Sequence, residues 1–170
     1  MTRLKLTLSA CAISIAALLL PIASSAHEIK LGDLEIIHPW ARQSPMAADV
    51  TAGFMVILQN GKNGDNDVRD TAATADDKLI GVTAEIADVV QTHDMKMKND
   101  VIKLFKIPGG VIIPAGQSVE FKPKSKHIMF MKVKTQPMAD SQFKGTLVFE
   151  KAGSVEIEYE VTDPNAGMSQ

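Results

Sequence analysis

Near its C-terminal end the chain alternates with strict period two. Val155, Ile157, Tyr159 and Val161 interleave with Glu156, Glu158 and Glu160. Such a segment has one apolar and one acidic face, so it folds as a half-buried antiparallel strand with its glutamates in water. Other short apolar runs are bounded by turn-forming residues: Asp33–Ile37, Val50–Leu58, Leu79–Thr83, Val89–Met97, Val101–Ile107, Val111–Ile113, Ser118–Phe121, His127–Val133 and Gly145–Glu150. Gly109-Gly110 and Pro114-Ala115-Gly116 punctuate them, and the polar stretch Gln59–Lys78 reads as a long surface loop. No window beyond the first residues carries a sustained 3.6-residue apolar stripe, which excludes a helical domain. Eight or nine short strands at this spacing predict an all-β sandwich or barrel. Trp40 is expected in its core.

The first 26 residues differ in kind. Arg3 and Lys5 precede an uncharged apolar run, Leu6–Ile22, and Ser24-Ser25-Ala26 supplies small residues before His27. This is the pattern of a cleaved secretory signal peptide. Leu8-Ser9-Ala10-Cys11 superficially resembles an acylation site, but the apolar run continues well past Cys11. The expected organisation is a signal peptide over 1–26, one β-sandwich domain over 27–161 and a flexible tail over 162–170. No stable membrane span is expected after cleavage, and the location implied is the periplasm.

Cys11 is the only cysteine, so the mature domain has neither thiolate nor disulfide. That excludes papain-like catalysis, zinc fingers and blue-copper electron transfer. A net charge of −2 with no basic run argues against nucleic acid as partner. No Ser-His-Asp order, paired-carboxylate motif or Gly-rich phosphate loop stands out, so an enzyme is not expected.

Histidine and methionine, by contrast, are clustered. His93-Asp94-Met95-Lys96-Met97 and His127-Ile128-Met129-Phe130-Met131 share the form His-x-Met-x-Met. Strand geometry puts the histidine and both methionines of each pentamer on one face. Thioether sulfur is soft and does not titrate, and with neutral imidazole it suits Cu(I). The candidate metal ligands are His93, Met95, His127 and Met129; Met97 is an alternative to Met95, and Met131 leans toward the core. Uncharged donors can bind Cu(I) and still release it, which favours carriage over storage or catalysis.

These residues, with His38-Pro39-Trp40-Ala41-Arg42, Ile113-Pro114-Ala115-Gly116 and Phe149-Glu150-Lys151-Ala152-Gly153, resemble the periplasmic copper chaperones called PCu(A)C. The resemblance implies a cupredoxin-like antiparallel β-sandwich that binds Cu(I) through His and Met. It also implies delivery to an acceptor, either a cytochrome c oxidase copper site or another copper chaperone. His93, His127 and Met129 match the family's ligand pattern, whereas the family's second ligand, a Met, falls on Leu104. Leucine keeps the volume without the donor, so either the site is three-coordinate or Met95 or Met97 substitutes. Lys124 and Ser125 stand where the family usually has glycines. Two further readings are weighed. One is a copper redox enzyme or Cu(II) protein using the amine and imidazole of His27, with His38 nearby, as a second metal site. The other is a metal-free interaction module.

Overall fold

The computed structural model describes residues 28–59, 75–98 and 101–163; the expected signal peptide, His27 and residues 164–170 lie outside them. The described residues form eleven strands: β1 (Glu28–Leu31), β2 (Leu34–Arg42), β3 (Val50–Gln59), β4 (Asp77–Ala84), β5 (Ala87–Lys98), β6 (Val101–Lys106), β7 (Val111–Ile113), β8 (Ser118–Phe121), β9 (His127–Val133), β10 (Gln142–Phe149) and β11 (Gly153–Thr162). No helix occurs among them.

Seven strands close into a ring, β2-β11-β10-β4-β5-β9-β3, because β3 returns to pair with β2. Every pairing is antiparallel except β2 with β11, which aligns Trp40–Arg42 with Glu160–Thr162. The ring is pinched where β4 and β5 share a single pair, Ala84 with Ala87. It bends again where the β2–β3 ladder shifts register between Ile37 and Trp40. A closed sheet pinched in this way is a sandwich in cross-section, and the fold is cupredoxin-like.

The alternation read from the sequence sets the two faces. Ile157, Tyr159 and Val161 are fully buried, while Glu156, Glu158 and Glu160 face solvent. Tyr159 stacks on Phe143 with ring centroids 5.1 Å apart, and Phe130 meets both edge-on at 5.2 and 5.3 Å. Two glycines make room for this cluster. A Cβ on Gly53 would lie 2.6 Å from the Phe130 ring, and one on Gly145 would lie 2.8 Å from Tyr159. Strand glycines mark such close approaches of ring to backbone.

Three sequence expectations change. β1 is an additional strand, pairing along β2 from Glu28–Ile37 to Leu31–Leu34. β2 runs on through Pro39, which a bulge accommodates, with His38 at φ +48°. The stretch expected as loop from Gln59 to Lys78 contributes strand at both ends, since Gln59 closes β3 and Asp77 opens β4. Both residues are buried and tied together. Asp77 N–H donates to Gln59 Oε1, and Gln59 Nε2 donates to the Ala75 carbonyl. The Asp77 carboxylate also accepts the backbone N–H groups of Lys78, Lys151 and Ala152 at 2.6, 3.0 and 2.9 Å. That carboxylate pins the β10–β11 turn to the start of β4.

Candidate metal centre

The two His-x-Met-x-Met segments become β5 and the start of β9, and these strands are neighbours. His93 and His127 are direct cross-strand partners. Their rings stack at 23° with centroids 6.1 Å apart. Opposed residues on adjacent strands share a face, so two histidines separated by 33 intervening residues end as one pair of imidazoles. The sequence could suggest this convergence, but only the pairing of β5 with β9 supplies it.

One same-face step along β9, about 7 Å by strand geometry, Met129 stands opposite Gln91 on β5 and Ala52 on β3. One same-face step along β5 in the other direction, Met95 stands opposite Leu104 on β6. Both methionines are half-buried. The two thioethers therefore flank the imidazole pair, one on each side. Met95 and Leu104 are direct cross-strand neighbours, so the position where the family carries a thioether and the methionine that this chain offers occupy the same rung. The register places Met97 one further step out, opposite Ile102. Met131 follows Met129 along β9 and is half-buried, not part of the core.

The imidazoles are held differently. His127 is 6% exposed, and its Nδ1 lies 2.8 Å from the Ser125 carbonyl. A carbonyl only accepts, so Nδ1 carries the proton and donates, and Nε2 keeps its lone pair for a metal. His93 is half-buried, and its Nδ1 is enclosed without a hydrogen bond of normal geometry. Burial holds the His93 pKa below the usual histidine value; the Gln91 backbone opposes this, and the charges of His127 and Lys106 add to it. Burial thus biases the His93 ring toward the neutral form that binds metal.

Trp40 is not a core residue. It is half-exposed on the outer face, with its ring centroid 4.4 Å from that of Phe54. Phe54 is in turn 6.5 Å from His127. A row of rings therefore crosses four adjacent strands: Trp40 on β2, Phe54 on β3, His127 on β9 and His93 on β5. Sequence reasoning missed this wall, and the only available signal was that Trp40 is the one tryptophan, beside a histidine and a proline. His38 is exposed in the β2 bulge. Among the described residues no group of three His, Cys, Asp or Glu side chains could hold a metal. The paired imidazoles have no carboxylate third partner, and the donors beside them are sulfur.

A cupredoxin-like sandwich with paired imidazoles and flanking thioethers on one outer face is the class to which this molecule conforms, and it is the fold of the PCuAC domains. The chain covers 81% of its length on the copper-bound PCuAC domain from PmoF2, and 99% of that domain, at 24% identity and a TM-score of 0.65. The apo PmoF2 PCuAC domain matches at 25% identity and a TM-score of 0.64, over 82% of this chain and 98% of that one. The Cu(I) form of DR1885 from Deinococcus radiodurans matches at 16% identity and 0.53, over 82% and 83% of the two chains. Residues 34–161 match the family described as LpqE-like candidate lipoproteins, and the chain belongs to that family. A candidate lipoprotein of Leifsonia xyli subsp. xyli (strain CTCB07), Lxx21020, is 28% identical over 85 residues, 50% of this chain. The chain spans about half the length of that curated relative, 51%.

Proposed function

We propose that this chain is an exported copper carrier that holds one Cu(I) on the β5–β9 face and passes it to an acceptor. His93, His127 and Met129 are the ligands, with Met95 completing the set in place of the thioether missing at Leu104. The observation that carries this reading is the pair of stacked imidazoles flanked on both sides by methionines. The donor chemistry agrees: soft sulfur and neutral nitrogen favour Cu(I) over zinc, calcium or magnesium. The enclosed Nδ1 of His93 also fits, since coordination gives a buried imidazole the polar partner it otherwise lacks.

Release proceeds by ligand exchange, the acceptor's donors replacing thioethers and imidazoles one at a time while copper stays Cu(I). No bond other than metal–ligand bonds forms or breaks, so carriage needs no catalytic group. The leader pattern and the description of the family as lipoproteins support export to the periplasm. The PCu(A)C resemblance points to a cytochrome c oxidase copper centre as the destination.

Competitive Cu(I) titration against a chromophoric chelator tests the reading. His127→Ala and Met129→Ala are expected to weaken affinity about tenfold or more, each tenfold being about 1.4 kcal/mol. Met95→Ala should weaken it as well, and Leu104→Met should then tighten binding only in the Met95→Ala background. Unchanged affinity in both His127→Ala and Met129→Ala would overturn the assignment.

A further inference from the structure

Among the described residues β6 pairs with β5 and with no other strand. β9 begins at His127, opposite His93, so the β5–β6 hairpin beyond that rung projects past the wall of the sandwich. Every residue of β6 is exposed. Val101 is 56% exposed, Ile102 57%, Leu104 45% and Phe105 37%. Four large apolar side chains on a two-stranded finger are costly in water, and an isolated hairpin is barely stable by itself.

The same finger is basic. Lys96 and Lys103 face each other directly across β5 and β6, a like-charge pairing that destabilises a ladder. The Lys96 ammonium lies 5.1 Å from the centre of the Phe105 ring. Lys106 is the cross-strand partner of His93. On the other flank, the turn leading into His127 carries Lys122, Lys124 and Lys126. Lys122 pairs with Glu120; among the described residues no ion pair engages Lys96, Lys103, Lys106, Lys124 or Lys126. Residues 93–106 and 122–127 together hold seven lysines and two aspartates, a balance of +5 in a chain of net −2.

We propose that this hairpin and the 122–126 turn form the docking surface for an acidic copper-acceptor protein. Its apolar centre packs on Ile102, Leu104 and Phe105, and its carboxylates meet the lysines. The acceptor clasps the finger on both faces: Ile102, Leu104 and Lys106 share the face of His93 and Met95, whereas Lys96, Lys103 and Phe105 line the reverse. A docked acceptor therefore has its donors beside the ion it is to receive. The inference rests on the copper-carrier reading only for what is transferred; the docking itself needs no metal.

The test separates the two. The probe is a fluorescently labelled peptide of alternating glutamate and methionine, with a matched glutamine–methionine peptide and a lysine–methionine peptide as controls. Anisotropy with the metal-free protein at low salt should show the acidic peptide binding about tenfold more tightly than the neutral one, with the preference lost at high salt. Lys96→Glu/Lys103→Glu should abolish that preference while leaving Cu(I) affinity unchanged, since neither lysine is a ligand. Ile102→Ser should weaken the acidic peptide without changing its salt dependence. Equal affinity for all three peptides, or no effect of the double reversal, would overturn the proposal. Cosedimentation with phosphatidylglycerol vesicles in the absence of any peptide preference would overturn it in favour of a membrane surface. Peptide docking by a protein that fails the Cu(I) titration would refute the carrier reading alone.

Discussion

His127 and His93 show how much chemistry depends on which nitrogen holds the proton. The Ser125 carbonyl fixes the His127 tautomer and leaves the Nε2 lone pair free for a metal. Burial keeps His93 neutral, which has a consequence for stability. Its native pKa lies below the ordinary histidine value of about 6.5, so under mildly acid conditions the unfolded chain binds a proton more readily than the folded chain. Metal-free stability is therefore expected to fall as pH drops below about 6.5, and His93→Phe should flatten that fall in thermal melts recorded from pH 7.5 to 5. Lys124 illustrates a different residue-scale cost. Its φ of +64° is the left-handed conformation that glycine adopts freely. Lys124→Gly should raise unfolding free energy by roughly 0.5–1 kcal/mol in urea titrations. The phenol of Tyr159 is buried with no partner for its oxygen, and burial pushes its pKa up. Tyr159→Phe should accordingly be neutral or slightly stabilising, because an unsatisfied polar group is removed without loss of the ring.

At the scale of elements, strands with clean alternation were legible. β11 follows its Val/Ile/Tyr–Glu pattern through to Thr162, and the two His-x-Met-x-Met runs lie in strands as expected. What stayed hidden has physical causes. β1 is four residues long with mixed charge, and its order comes from pairing with β2, a long-range property. The expected strand stopped at Ile37, yet β2 runs on through Pro39, which cannot donate to a ladder, because the bulge at Ile37–Trp40 removes that demand. Trp40 looked like core because large aromatics usually are, whereas here it roofs Phe54 beside the His93–His127 pair. Asp77 was lost in a polar stretch, yet its carboxylate gathers three backbone N–H groups, one from its neighbour Lys78 and two from the distant β10–β11 turn. Asp77→Ala leaves those donors without their acceptor and should cost about 2–4 kcal/mol in denaturant unfolding, with little change in Cu(I) affinity because Asp77 lies in β4, away from the β5–β9 face.

For the whole molecule, the ring of seven strands carries the stability. Its core is built from residues such as Ile36, Ile57, Ile128, Phe130 and Leu147, each fully buried. The exposed ion pairs, for example Lys134–Asp88 and Lys144–Glu156, add little by comparison. A ligand that binds only the folded form raises stability by mass action. Free Cu(I) at a hundred times its dissociation constant should therefore add about 2.7 kcal/mol. Chemical unfolding with and without the ion checks this, and the far-UV circular dichroism of the folded state should stay unchanged. That expectation follows from the ladder joining β5 to β9. Both imidazoles hang from backbone rungs whose hydrogen bonds owe nothing to copper. On the proposed carrier function, the emptied site is thus already shaped to bind again, and no part of the sheet has to be rebuilt between loads.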